Sequence, residues 1–179
     1  MNRLQSCALI LSLLEKLKAK GSWGGETHVQ KATYFLKTLA NVPMDFDFIL
    51  YKHGPFSFDL RDELTAMRAD GLLSMKPHSP YGPTFDTTEQ GKKLLKKFPV
   101  TLKKYKDNVD FVVNELDKKG VSDLEKLATA LFIIKNEQSR KSLNARAERI
   151  HEIKPHVSVT EAKIAVSAVQ EMTSRYAQV

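Results

Sequence analysis

Two repeat lengths alternate along this chain, and their order restricts the fold more than any single residue does. Apolar residues recur every three or four positions at Leu4, Cys7, Leu11, Leu14 and Leu17. They do so again at Val29, Ala32, Leu36 and Leu39, with Phe35 beside them. Each set predicts a helix with one apolar stripe. The "GSWGG" at 21–25 separates the two, and Asn41 and Pro43 stop the second. The period then drops to two: Met44, Phe46, Phe48 and Leu50 alternate with Asp45, Asp47 and Ile49, which predicts a strand over 44–51 with a wet face at its start.

Helical spacing returns at once. Gly54 and Pro55 are expected to open a helix whose apolar side is Phe56, Leu60, Leu64 and Met67, closing on Asp70-Gly71. After it "LLSMK" and "TFDTT" flank the turn-rich "PHSPYGP" and predict a two-stranded hairpin, or wing, that Pro77 and Pro83 keep short. Thr87 and Gln90 fit a capping box opening a lysine-rich helix that Pro99 stops. Leu102, Tyr105, Val109, Val112 and Leu116 define a longer helix ended by Gly120. Two more boxes, Ser122 with Glu125 and Ser158 with Glu161, open the next helix and the last one. The polar stretch between those two, 136–155, reads as part helix and part loop.

The predicted order contains no repeated strand–helix alternation, so a doubly wound sheet is not expected. The expected class is mainly α with a small antiparallel β hairpin: a winged-helix-like core over 1–99 and a helical extension packed on it over 100–179. With 42% hydrophobic and 27% charged residues, the 179-residue chain has the balance of a protein with a real core. The first 21 residues look briefly like a signal segment, but Glu15, Lys16 and Lys18 interrupt the apolar run. No stretch is long and apolar enough to cross a bilayer. The expected location is cytoplasmic. The single cysteine, Cys7, allows no internal disulfide and sits on an apolar helical stripe, as a buried inert thiol does.

The net charge of +7 attracts nucleic acids, anionic membranes and acidic proteins alike. A helix followed by a leucine pair and a hairpin suits a winged helix-turn-helix, in which Arg61 and Arg68 would meet the groove and His78 on the wing would meet phosphate. However, residues 56–70 carry two arginines against four acids, a net −2, which makes a poor recognition helix. Positive charge gathers instead over 88–119, with nine lysines against five acids. Its dense part is Lys92, Lys93, Lys96, Lys97, Lys103, Lys104 and Lys106, a stripe suited to non-selective contact with phosphates.

The stretch from His28 to Leu73 resembles a widespread bacterial, archaeal and phage family, the YwgA-like uncharacterised proteins, and more distantly proteins with the Panacea (SocA-like) antitoxin domain. The residues that carry the likeness are Gln30, Lys31, Tyr34, Phe35 and Leu36, then the turn Tyr51, Gly54, Pro55, Phe56 and Ser57, then a helix and "GLL". The resemblance implies a helical domain with a small hairpin, a partner that is a protein, and, through the Panacea likeness, a toxin to be neutralised in a phage or mobile-element setting. It supplies no catalytic residue. Read physically, Gly54 relieves backbone crowding, Phe56 plugs the core beside Phe46 or Phe48, Ser57 caps nearby amides, and Tyr34 and Tyr51 join that packing. Tyr51, His53 and Phe58 are the candidates for contact with a partner protein.

Catalytic chemistry does not assemble along the sequence. In "HEIKPH" the histidines, His151 and His156, are five apart rather than four, and Pro155 breaks the helix a zinc pair would need. "GSWGGE" lacks the Lys-Ser/Thr ending of a phosphate loop, and no serine has a nucleophile-elbow setting. No metal site, cofactor or enzyme activity is expected. The expected function is protein interaction or regulation, antitoxin-like, with a DNA-binding regulator as the alternative. The apolar face of the last helix also suits a homodimer or simple core packing.

Overall fold

Asn2 opens the first helix, α1 (Arg3–Ala19): its side chain accepts from the Gln5 amide, and the Gln5 side chain accepts from the Asn2 amide. This reciprocal cap satisfies two donors that a helix start otherwise leaves unpaired. The computed structural model describes residues 1–139 and 141–178. Within it α1 is buried far more widely than one stripe. Cys7 to Leu11, Leu13, Leu14 and Leu17 are all enclosed, whereas Leu4, expected in the stripe, is exposed. The reason is long-range: other elements pack around α1, and a helix surrounded on most sides is apolar on most sides.

The second helix, α2 (Glu26–Thr38), buries Val29, Ala32 and Leu36 as expected, and with them the polar Gln30, Lys31 and Thr33. Asn41 follows in the left-handed region at φ 53°. The predicted strand over 44–51 is shorter than its pattern. Burial alternates along it, with Val42, Met44 and Phe46 inside and Pro43, Asp45 and Asp47 outside. Only β1 (Ile49–Tyr51) finds a ladder, pairing antiparallel with β2 (Gly54–Phe56), Tyr51 opposite Gly54. The extended chain before it is held by side chains instead, including the Lys37 ammonium donating to the Phe46 carbonyl at 2.5 Å.

Gly54 and Pro55 therefore belong to a hairpin and not to a helix start. The helix that follows, α3 (Phe58–Ala69), begins after Ser57, whose hydroxyl accepts from the Leu60 amide at 3.2 Å. Pro55 is tolerated in the strand because a two-stranded ribbon consists only of edges. The expected second hairpin forms as β3 (Leu73–Lys76) against β4 (Thr84–Thr87). It is tied to the α1–α2 turn by a bridge between Gly25 and Thr84 and by the Phe85 amide donating to the Gly24 carbonyl at 2.9 Å.

The cap of α4 (Glu89–Lys97) is Thr88, one residue later than expected; it accepts from the Gly91 amide at 3.0 Å. The long helix expected from Leu102 to Leu116 is broken at Tyr105 into α5 (Pro99–Lys104) and α6 (Lys106–Leu116). The chain continues through α7 (Val121–Asn136), α8 (Leu143–Ile153) and α9 (Val159–Tyr176). The Ser158–Glu161 capping box forms. The Ser122–Glu125 box does not: Gly120 precedes α7 without a side-chain cap, and Glu125 points inward.

Among the described residues the architecture is mainly helical with two small antiparallel hairpins. One buried apolar cluster runs from Cys7 to Met172, with α6 and α7 packed on α1 and α2, so both stretches, 1–99 and 100–179, contribute to it. The apolar face of α9 (Ala162, Ala165, Val166, Val169 and Met172) is consumed against α7 and α8. No helix among the described residues is long and apolar enough to cross a membrane.

Candidate interaction surface over a buried ionic joint

Three side chains pin the backbone of the β1–β2 hairpin. Gln30 Nε2 donates to the Ser57 carbonyl at 2.9 Å and its Oε1 accepts from the Ser57 amide at 3.0 Å. The Lys31 ammonium donates to the Pro55 carbonyl at 2.7 Å. From the far end of the chain, the Lys154 ammonium donates to the Tyr51 carbonyl at 2.7 Å and to that of Lys52. Gly54, at φ +80°, lies so close to α7 that an added Cβ would meet Thr129 Oγ1 at 2.9 Å and the Glu125 carbonyl at 3.3 Å. This is a close approach that glycine alone permits without strain.

Beneath the hairpin lies Glu125, nearly enclosed. Its Oε1 is 3.6 Å from Lys154 Nζ and 3.3 Å from His156 Nε2, and its Oε2 is 3.6 Å from His53 Nδ1. Lys154 supplies the positive charge that a carboxylate withdrawn from water needs. The Lys31 ammonium is pushed down to about 8, chiefly by burial, with Glu125 opposing the shift and Lys154 reinforcing it. Sequence reasoning finds Gln30 and Lys31 through the family likeness but misses Glu125, which the local pattern assigns to a cap, and Lys154. His53, expected on a binding surface, is exposed but sits against Glu125. His151 does not join His156; its Nδ1 lies 2.8 Å from the Val157 carbonyl. Among the described residues no group of three or more His, Cys, Asp or Glu is arranged to hold a metal ion.

Above this joint the hairpin and the start of α3 present three rings to solvent. Tyr51 and Phe56 have centroids 5.8 Å apart, Tyr51 and Phe58 5.6 Å, and Phe56 and Phe58 5.2 Å. The Arg61 guanidinium lies 5.0 Å over the Phe58 ring. Tyr51 is 53% exposed and Phe58 39%, with Ile49 of β1 at 49% beside them. Phe56 is thus half-buried in this trio rather than a core plug; Phe48 packs instead on the buried Tyr34, at 5.0 Å. Edge-on aromatic contacts of this kind hold ring geometry as well as area.

The residues proposed for phosphate contact divide. Lys92, Lys93, Lys96, Lys97, Lys103, Lys104 and Lys106 are all exposed along α4, α5 and the start of α6. Lys92 pairs with Glu89 and Lys106 with Asp110, both at 2.7 Å. Lys104 lies over the Tyr105 ring at 5.1 Å. Arg61 and Arg68 are exposed on α3. His78 is drawn into local packing, with Nε2 3.0 Å from Thr84 Oγ1 and its ring edge-on to Trp23 at 5.1 Å. Comparison with protein-family models finds no match to this chain, and comparison with curated proteins finds none.

Proposed function

We propose that this protein is a non-enzymatic interaction or regulatory protein, antitoxin-like, that offers the Tyr51–Phe56–Phe58 surface to a partner polypeptide. One observation carries the reading: three mutually packed rings, Tyr51 and Phe58 exposed and Phe56 half-buried between them, stand on a backbone held at the Tyr51, Pro55 and Ser57 carbonyls from beneath. Aromatic and arginine side chains dominate binding hot spots, and a surface already rigid loses little freedom on association. The likeness to Panacea domains supplies the partner class, a toxin.

Capture from native lysate with the intact chain tests this. A specific polypeptide should be retained by the wild type, lost with Tyr51→Ala/Phe58→Ala, and kept when Lys93, Lys96, Lys97 and Lys103 are all changed to Glu. Capture that ignores the ring substitutions and fails on charge reversal would defeat the proposal. The alternative, a winged-helix DNA-binding regulator, draws on a separate observation: Lys93, Lys96, Lys97 and Lys103 are exposed and make no ion pair among the described residues. Duplex binding through them should be weak, non-selective and steeply reduced by salt. Sub-micromolar, sequence-selective binding at physiological salt would favour the regulator instead.

A further inference from the structure

A cleft of about 870 Å³ opens between the α1–α2 turn, α3, the β3–β4 hairpin and the residues leading into α7. Its size suits a small ligand. Two helices begin in its wall: α2 after Gly25 and α7 after Gly120, of 13 and 16 residues, and neither has a side-chain cap. The first amides of each helix therefore lack an intrahelical acceptor and present positive partial charge. Four cationic side chains, Arg61, Arg68, Lys118 and Lys119, line the same space against one acid, Glu26. Arg68, Lys118 and Lys119 have no ion pair among the described residues.

A second observation points to an occupant. His28, in the first turn of α2, forms part of the cleft lining; it is only 6% exposed, and its Nδ1 has no hydrogen-bond partner. Buried polar atoms are seldom left unmatched unless something else completes them. Burial holds this imidazole below the usual histidine range, with the Lys119 backbone opposing the shift. The ring thus forms part of the cleft wall, its unmatched Nδ1 lying just beneath the accessible surface.

The rim is aromatic. Trp23 is fixed by its Nε1 donating to the Gly82 carbonyl at 3.1 Å, and it lies edge-on to Tyr81 at 5.6 Å. Yet Trp23 is 40% exposed and Tyr81 71%. Rings left in solvent beside a cationic recess provide a stacking surface for a planar base.

We propose that this cleft binds a free nucleoside phosphate, its phosphate at the starts of α2 and α7 beside Arg68, Lys119 and His28, its base against Trp23 and Tyr81. The proposal is independent of the hairpin surface, although Arg61 borders both. Trp23 is the only tryptophan, so intrinsic fluorescence reports on the cleft directly. The intact chain is titrated with ATP and GTP, and in parallel with adenosine, inorganic phosphate and a mixed-sequence single-stranded 12-mer.

A saturable change with ATP or GTP is expected, displaced by inorganic phosphate and much weaker with adenosine. Arg68→Glu/Lys119→Glu should weaken it about tenfold or more, since two charge-assisted contacts are replaced by repulsion. Tyr81→Ala, at an exposed rim position, should weaken nucleotide binding but leave inorganic phosphate binding unchanged. This second variant decides the matter if the charge-reversed protein does not fold. Tyr51→Ala/Phe58→Ala should leave the titration unchanged, so the two readings fail separately. No saturable response at millimolar nucleotide, equal binding of adenosine and ATP, or indifference to both cleft variants overturns the proposal. Binding of the 12-mer that free nucleotides cannot displace also overturns it and assigns the cleft to a nucleic-acid strand.

Discussion

The Lys31 ammonium, on a side chain 2% exposed, donates to the Pro55 carbonyl at 2.7 Å and so joins α2 to the β1–β2 hairpin through a charge held away from water. The arrangement is expensive while the amine is protonated. Burial lowers its affinity for the proton, Lys154 adds to that, and Glu125 does not fully restore it.

Stability should therefore depend on pH in a definite direction. Lys31 titrates at about 8 when folded against 10.5 ordinarily. Below pH 8 both states hold the proton and the burial penalty is fully present. From pH 8 to 10.5 the unfolded chain binds more protons, so stability rises with pH. The gain specific to this residue is about 3 kcal/mol across that window. Urea unfolding of wild type and Lys31→Met, compared at each pH, isolates it, because other titrations are common to both. A difference that stays flat across the window would remove the buried charge from the account.

Gly54→Ala should destabilise by about 2–4 kcal/mol, since it combines a left-handed backbone with a new contact against α7. Gly71→Ala is the internal comparison: it too has positive φ, at 69°, but nothing stands within 4 Å of its Cβ position. It should lose only about 1 kcal/mol. Equal losses in denaturant melts would mean that the hairpin does not press on Thr129.

Ser57 is served by Gln30 on its backbone and serves Leu60 with its hydroxyl. Ser57→Ala should cost about 1 kcal/mol, the worth of a helix cap. Gln30→Leu strands the buried Ser57 amide, while the carbonyl keeps the Arg61 amide at 3.2 Å, and should cost more, about 2–3 kcal/mol. Hydrogen exchange at the Ser57 amide should quicken in the second variant and not in the first.

The Cys7 thiol is enclosed, lies 3.3 Å from Glu63 Oε1 and is pushed up to about 12, first by burial and then by its bond to that carboxylate. The native protein at pH 8 should leave a disulfide reagent unreacted over many minutes, whereas the urea-unfolded chain should react at once. Prompt labelling of the folded protein would show that α1 opens far more readily than its packing implies.

Local signals were legible in the residues and long-range ones were not. Ser158 and Glu161 cap α9 because both halves of that bond lie within four residues. Ser122 and Glu125 have the same spacing, yet Glu125 turns inward to the Lys154 ammonium and lies beside two histidines, partners that no local window contains. The alternation at 44–51 marks Met44 and Phe46 as buried and Asp45, Asp47 and Ile49 as exposed, with Phe48 and Leu50 only half-buried, but a ladder also needs a neighbouring strand, and only Ile49–Tyr51 has one. Tyr51, His53 and Phe58 were identifiable as a candidate surface, whereas Lys154, which holds Tyr51 across 103 positions, was not. Trp23 and His28, the cleft residues with the strongest bearing on a ligand, carry no motif of their own.

Lys154 also sets an order in time. A ribosome releases the hairpin and its rings long before it makes the residue that caps the Tyr51 and Lys52 carbonyls, and later still the Tyr176 hydroxyl that donates to the Ala40 carbonyl at 2.9 Å. A chain still under synthesis thus displays its aromatic edge held by Gln30 and Lys31 but without the third of its clamps. On the proposed reading, capture of a partner through that edge would draw its full rigidity only once residue 154 is made, and a chain cut short ahead of it would keep the rings and the Gln30 and Lys31 contacts but lose the third clamp.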